Sequence, residues 1–241
     1  MKPAILVPLK ENTRAKSRLS PLLSSHERSQ VAWMLLEDLI RALRPLPVPV
    51  FLLTSSARAA ARADALGWTV IREARQISES VSVDAASRQL KQTGIEAVLR
   101  LPADLPQVRA QDVAALLSVP VEPPCAVLSP SRDRTGTNAI LRAPPDLFPS
   151  HFGPGSFALH LREAEKAGAQ IRIVDNPRLA LDLDDAGDVA HLLSQPEEGA
   201  TYRLLLDLNI RERLSRHAGI LDPNQRVGRN TGNSPGNQSG G

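Results

Sequence analysis

Lysine is scarce in this 241-residue chain, confined to positions 2, 10, 16, 91 and 166, so two lysines inside one short loop stand out. Lys10 and Lys16, with Arg14 and Arg18, directly follow the apolar run AILVPL at 4–9. No glycine-rich turn accompanies them, so an anion bound here must be met by side chains rather than by backbone N–H groups. The expectation is an anionic ligand at the end of a strand. Taken alone, the loop reads equally well as a solvated charge cluster beside a helix.

Candidate negative charges lie far along the chain. Asp104 follows the strand-like IEAVLRLP (95–102), and Pro106 prevents that strand from continuing. Taken alone, Asp104 could also stabilise a turn. In LALDLD (179–184), Asp182 and Asp184 alternate with Leu181 and Leu183. An extended backbone therefore turns both carboxylates one way and both leucines the other. Two like charges side by side call for a cation, and with Asp104 they form an oxygen-ligand set suited to Mg²⁺. Asp185 and Asp188 have the spacing of an N-cap and an N3 residue, a structural role at a helix start.

A second anion site is suggested by HFGPGSFALHLREAEKAG (151–168), where two glycines and a proline lead into Ser156 and a helical pattern. Ser156 also reads as a simple helix cap. Upstream, Thr137 and Asn138 follow Gly136 at the start of a strand, where hydroxyl and amide groups could read an acid or a base. The five histidines, at 26, 151, 160, 191 and 217, show no paired metal spacing, and no serine lies in a nucleophile-elbow sequence. The single cysteine, Cys125, excludes an internal disulfide and reads as a buried strand thiol.

The elements that must position these groups alternate short apolar runs with amphipathic helical patterns, the signature of an α/β fold with a mainly parallel sheet and helices on both faces. Strands are expected at 4–9, 48–55, 68–73, 95–102, 125–130, 138–143, 169–175 and 179–184. Ser24 and Glu27 have capping-box spacing ahead of a stripe formed by Val31, Leu35, Leu39 and Leu43. Gly67 and Gly94 suit left-handed C-caps of two further helices. Trp33 and Trp68 read as core residues. One large domain is expected over 1–198, a single amphipathic helix over 199–221 and a disordered tail over 222–241.

Hydrophobic residues make up 42% of the chain, and no apolar run approaches the roughly 20 residues of a membrane span. The start of the chain lacks a signal-peptide pattern, so a cytoplasmic protein without membrane partners is expected. The formal net charge of +3, with arginines scattered among acids, argues against nucleic acid as a partner. A basic nucleic-acid-binding module would also leave the paired aspartates unexplained.

In this order and spacing, PLKENTRAKSRL, LRLPADLP, GTNAI, FGPGSFALH and LDLDDAGDVAHL resemble the 2-phospho-L-lactate guanylyltransferase family, which makes the activated acid used to build the deazaflavin coenzyme F-420. The resemblance spans roughly residues 4–194. It implies a Rossmann-like nucleotide-diphospho-sugar transferase fold, GTP as donor and Mg²⁺ as cofactor. The acceptor would be a small phosphorylated acid: 2-phospho-L-lactate, phosphoenolpyruvate or 3-phospho-D-glycerate. Thr137, Gly153 and Ser156 would hold that acid, and Asp104, Asp182 and Asp184 the metal. Lys10, Lys16 and Arg18 would neutralise the reacting phosphates, and Arg14 and Asn138 would join them in binding the nucleotide. A monomer or homodimer is expected. Molybdenum-cofactor and sugar-1-phosphate nucleotidyltransferases would share the acidic residues, but they typically open with a glycine-rich loop.

Overall fold

The computed structural model describes residues 1–9, 16–73, 78–194 and 196–221. Lys10, Arg14 and the tail expected over 222–241 lie outside the described residues.

Seven strands form one sheet: β1 (Pro3–Leu9), β2 (Val50–Thr54), β3 (Thr69–Arg72), β4 (Ala97–Arg100), β5 (Cys125–Pro130), β6 (Thr137–Ala143) and β7 (Gln170–Ile173). Their order is β3-β2-β1-β4-β6-β5-β7. All pairings are parallel except those of β6, which runs antiparallel to both β4 and β5. After β1 the chain builds outward through β2 and β3, then returns to lay β4 on the other side of β1. Strand order therefore reverses between β1 and β4, and open α/β sheets bind their ligands at such a point, beyond the carboxyl ends of the strands. Because β6 is reversed, its first residues, Thr137 and Asn138, lie at this same edge.

Strand alternation divides the core into two faces. Ile5 and Val7 of β1 pack with α1 (Ser25–Leu43), α2 (Ala57–Asp64) and α4 (Ala110–Leu117). Ala4 and Leu6 point the other way, onto Val83, Ala86 and Leu90 of α3 (Glu79–Gln92). On that second face Ala126, Leu128 and Ile140 pack against Phe157 and Ala164 of α5 (Ser156–Lys166). Cys125 is fully buried in β5. Trp33 and Trp68 are half-buried against the first face.

The expected capping box opens α1: Ser24 Oγ accepts from the Glu27 N–H at 3.3 Å, and the Glu27 carboxylate accepts from the Ser24 N–H at 2.7 Å. Gly67 and Gly94 end their helices with φ of 73° and 84°.

Two expectations are corrected. The segment 179–184 is not a strand. Asn176 Oδ1 accepts from the N–H groups of Arg178 and Leu179, and Pro177 stands at the first helical position, so the chain turns into a short helix, α6 (Pro177–Ala180). Residues 181–184 then run without a ladder, tied by one backbone bond from Leu183 N to Asp104 O at 3.0 Å. The expected alternation survives, since Leu181 and Leu183 are buried beneath α7 (Ala186–Leu193). The single helix expected near the C-terminus is two, α8 (Ala200–Asp207) and α9 (Ile210–Leu221), divided at Asn209 with φ 53°. The break brings Ile210 into the same apolar cluster as Tyr202 and Leu205, against Val31 and Leu35 of α1. Asp38 of α1 caps α8 by accepting from Ala200 N and Thr201 N at 2.7 and 2.9 Å. Among the described residues no helix is long and apolar enough to cross a membrane.

Candidate active site

At the reversal edge, Lys16 and Arg18 meet Asp104 after β4 and the acidic segment after α6. Lys16 adopts a left-handed conformation, φ 53° and ψ 41°, which costs an L-residue roughly 1–2 kcal/mol. Its ammonium lies 2.9 Å from Asp104 Oδ2 and 2.9 Å from Asp184 Oδ1. Arg18 stands at the mouth of the site, 71% exposed, with Nη2 3.7 Å from Asp184 Oδ2. Arg18, Asp104 and Asp184 border a cavity of about 490 Å³ that also takes in Asp182, Thr137, Asn138, Gly153 and Ser156, with the Lys16 ammonium bound to two of its carboxylates. Every sequence-predicted site residue within the described segments is therefore gathered at one place.

Several folding devices hold the acidic segment there. Asp112, at the start of α4 and 2% exposed, accepts from Arg178 Nε and Asn176 Nδ2 at 2.8 Å each. Asn138 Nδ2 is directed to Leu179 O at 2.9 Å, Ala180 O at 3.1 Å and Asp182 Oδ1 at 3.3 Å. The Asn138 amide nitrogen thus secures the aspartate segment. Downstream, Asp185 caps α7 as expected, and Asp188 Oδ2 accepts from the N–H groups of both Asp184 and Asp185 at 3.0 Å.

The charges are strongly coupled. Burial works to raise the Asp104 carboxyl, but the Lys16 ammonium outweighs it and holds the group below the usual range. Burial likewise opposes the Lys16 charge, and the two aspartates reverse that and raise it. Among the described residues Asp182 has no cationic partner of this kind; burial and then the charges of Asp104 and Asp184 push it up to about 6. Such an arrangement stabilises positive charge.

Among the described residues, no three acidic, histidine or cysteine side chains stand close enough together to hold a metal by themselves. The three aspartates line one cavity without closing on one point. A hard cation that takes one or two carboxylates and completes its shell with water and substrate phosphates fits this donor set, and the Lys16 ammonium marks a position where two carboxylates already hold a cation.

On the opposite wall, Gly153 and Gly155 take φ of 130° and 72°, conformations that favour glycine, and this turn leads the chain into α5. Ser156 does not cap the helix. Gly155 occupies the cap position, and Ser156 Oγ instead accepts from the Thr137 N–H at 2.9 Å.

Sequence reasoning missed Arg100, Arg132 and His160 near this wall. Arg100, 6% exposed, extends from β4, donates to Asn138 O at 3.2 Å and pairs with Glu79. Its guanidinium lies 4.2 Å from the ring centroid of Phe152. Arg132 pairs with Asp188 at 2.9 Å. His160 is fully buried behind Thr137. The signal for Arg100 was a charged residue inside an apolar strand pattern; His160 lies on α5 one turn after Ser156, the spacing that puts both on one face.

A carboxylate-lined cavity at the switch point of a mainly parallel sheet, with an arginine at its mouth and a lysine bound to its carboxylates, defines an α/β nucleotidyltransferase. The fold agrees: a protein described as a nucleotide-diphospho-sugar transferase from Desulfovibrio desulfuricans G20 superposes with a TM-score of 0.73 at 17% identity, covering 88% of this chain and 98% of its own. A CMP:2-keto-3-deoxy-manno-octonic acid synthetase superposes with a TM-score of 0.52 at 16% identity, over 80% of this chain and 97% of its own.

Residues 3–221 match the family described as guanylyl transferase CofC like, and the chain belongs to that family. A phosphoenolpyruvate guanylyltransferase of Rubrobacter xylanophilus is 39% identical over 82% of this chain and 96% of its own length. A 3-phospho-D-glycerate guanylyltransferase of Colwellia psychrerythraea is 29% identical over 81% and 94%. The protein is an enzyme that transfers a guanylyl group, which sets aside the non-catalytic basic module.

Proposed function

We propose that this guanylyltransferase moves GMP from GTP to a phosphorylated three-carbon acid, with phosphoenolpyruvate as the favoured acceptor, and releases pyrophosphate. The product is an activated acid for coenzyme F-420 assembly. The observation that carries the reading is the junction of Lys16 with Asp104 and Asp184 at one end of a cavity whose other wall holds Thr137, Gly153 and Ser156. The 39% identity to a phosphoenolpyruvate guanylyltransferase supports the choice of acceptor.

The physical problem is charge. An acceptor phosphate oxygen must form a bond to the α-phosphorus of GTP while the bond from that phosphorus to the β-phosphate oxygen breaks, and pyrophosphate leaves with those electrons. Two unscreened charges about 4 Å apart repel by roughly 4 kcal/mol at an effective dielectric near 20. Arg18 at the cavity mouth, and Lys16 bound to the cavity's carboxylates, would offset the charge of the triphosphate and the departing pyrophosphate. Asp104 and Asp184, with Asp182 beside them, would hold Mg²⁺, which when bound neutralises phosphate charge and aligns oxygens for in-line displacement. The turn through Gly153 and Gly155 and the hydroxyls of Thr137 and Ser156 would hold the acid. No general base is needed, because the attacking phosphate is already ionised.

The test is pyrophosphate release from the purified chain with Mg²⁺, each nucleoside triphosphate and each candidate acid. Release with GTP and phosphoenolpyruvate is expected. Release with CTP and a sugar phosphate, and none with GTP and any three-carbon phosphoacid, overturns the reading.

A further inference from the structure

His160 lies on α5 with no exposed surface, enclosed by the rings of Phe148, His151 and Phe152 at centroid distances of 6.4, 6.1 and 5.1 Å. Both of its ring nitrogens are engaged. Nε2 is 2.8 Å from the backbone nitrogen of His151. A backbone N–H can only donate, so Nε2 is the acceptor, and the one hydrogen of a neutral imidazole must sit on Nδ1. Nδ1 is 2.9 Å from Thr137 Oγ1 and therefore donates to it.

The ring is neutral at physiological pH. Burial, then the electrostatic influence of Arg142 on β6, His151 and Arg100 on β4, lowers its pKa to about 3, with Asp84 on α3 opposing.

The tautomer fixes a count of hydrogens. Thr137 and Ser156 bring two hydroxyl hydrogens to the cavity wall. Ser156 Oγ already accepts from the Thr137 N–H, and the two hydroxyl oxygens face each other at 3.4 Å. That contact consumes at most one hydrogen. With Nδ1–H donating to Thr137, the other hydrogen is left for the cavity. With the opposite tautomer, the Thr137 hydrogen would point into the core, leaving this pair only the Ser156 hydrogen, for which Thr137 Oγ1 would compete with the ligand.

We propose that His160 is a positioning residue that acts through Thr137, setting the Thr137–Ser156 hydroxyl pair to donate one hydrogen bond to an anionic oxygen of the acceptor acid. This role rests on the acceptor reading given above. It also makes the wall selective for ligands that accept at this point, as carboxylates and phosphates do.

Two measurements test it. Nitrogen-15 NMR of the full chain at pH 7 without substrate should show His160 protonated on Nδ1; an Nε2–H tautomer overturns the proposal whatever the enzyme does. In steady-state kinetics with phosphoenolpyruvate, His160→Leu should raise the KM for the acid about tenfold, because without Nδ1–H the hydroxyl donor is no longer held toward the charged oxygen. Its kcat and KM for GTP should stay within about twofold, a split that general structural damage would not produce. His160→Asn, whose side-chain N–H can reach the Nδ1 position, should recover most of the loss. Thr137→Val, which removes the hydroxyl itself, should cost at least as much as His160→Leu, which only frees that hydroxyl to turn away, and the double variant should be no worse than Thr137→Val alone. An unchanged KM for the acid in His160→Leu, or additive losses in the double variant, overturns the proposal. A wild-type chain that moves no GMP to any three-carbon phosphoacid would instead refute the functional reading, while the NMR result still decides the tautomer.

Discussion

Lys16 and Asp184, 168 positions apart in sequence, meet at 2.9 Å at the edge where strand order reverses. A second bond of the same length from Lys16 to Asp104 makes this the centre of charge in the cavity. If this centre offsets the repulsion between two phosphorylated substrates, either Lys16→Ala or Asp104→Asn should lower turnover at least about a hundredfold, as removal of a transition-state charge stabiliser does. Initial rates of pyrophosphate release check this. Full GMP transfer by a normally folded variant would falsify the assignment.

Asp112 anchors the aspartate segment from beneath, with bonds from Arg109 N at 3.0 Å and from Asn176 and Arg178 at 2.8 Å. Asp112→Ala removes a buried carboxylate and strands its partners. Urea unfolding should show a loss of about 3 kcal/mol, with turnover falling as Asp182 and Asp184 lose their placement. A loss within about 0.5 kcal/mol of zero, the range of ordinary surface changes, would mean that the segment is held by other contacts.

His160 gives the stability a specific pH dependence. Its folded-state pKa is lowered from 6.5 to about 3, so below pH 6.5 the unfolded chain binds a proton that the native chain refuses. Stability from this group is complete above pH 6.5 and is lost progressively as pH falls toward 3. The slope approaches about 1.4 kcal/mol per pH unit. Glu27 and Asp133, both lowered to about 2 from 4.5 and 3.8, lose their contributions only below about pH 4.5, under the range of pH 5 to 7. Chemical denaturation at pH 7, 6 and 5 should therefore show wild type losing stability faster than His160→Leu. Parallel curves would rule out a neutral buried imidazole.

Gly155 holds φ at 72°, and an added Cβ there would meet nothing within 4 Å. Gly155→Ala should thus cost about 1 kcal/mol from backbone strain alone. Gly136→Ala is a different case, because its Cβ would lie 3.0 Å from Ser131 Oγ. Thermal unfolding of the two variants separates strain from crowding. A fully neutral Gly155→Ala would show that the turn relaxes out of the left-handed conformation at no cost.

Local rules made much of the site legible. The charged loop after AILVPL, the aspartate following IEAVLRLP and the alternation of Asp182 and Asp184 with two leucines all placed residues that the fold gathers at one edge. The errors came where local pattern competed with a cap or a partner. LALDLD alternates like a strand, but Asn176 and Pro177 start a helical turn first, and among the described residues no strand pairs with 181–184. The helix expected from 201 was divided because Asn209 tolerates a left-handed conformation, which lets Ile210 reach the core. Ser156 was read as a cap, yet its oxygen is drawn to the Thr137 backbone 19 positions away.

The sequence by itself determined the alternation of strands and helices, the burial of the apolar runs and the residue types able to handle phosphates. Periodicity and side-chain chemistry act over a few residues, and their information is local. Which charges face one another was decided only by the tertiary structure. The reversal of strand order between β1 and β4 puts Lys16 against Asp104 and Asp184, and the antiparallel insertion of β6 brings Thr137 to the same edge with His160 behind it. Electrostatic coupling and hydrogen-bond direction depend on distances of about 3 Å between groups remote in the chain, and only the packed sheet sets those distances.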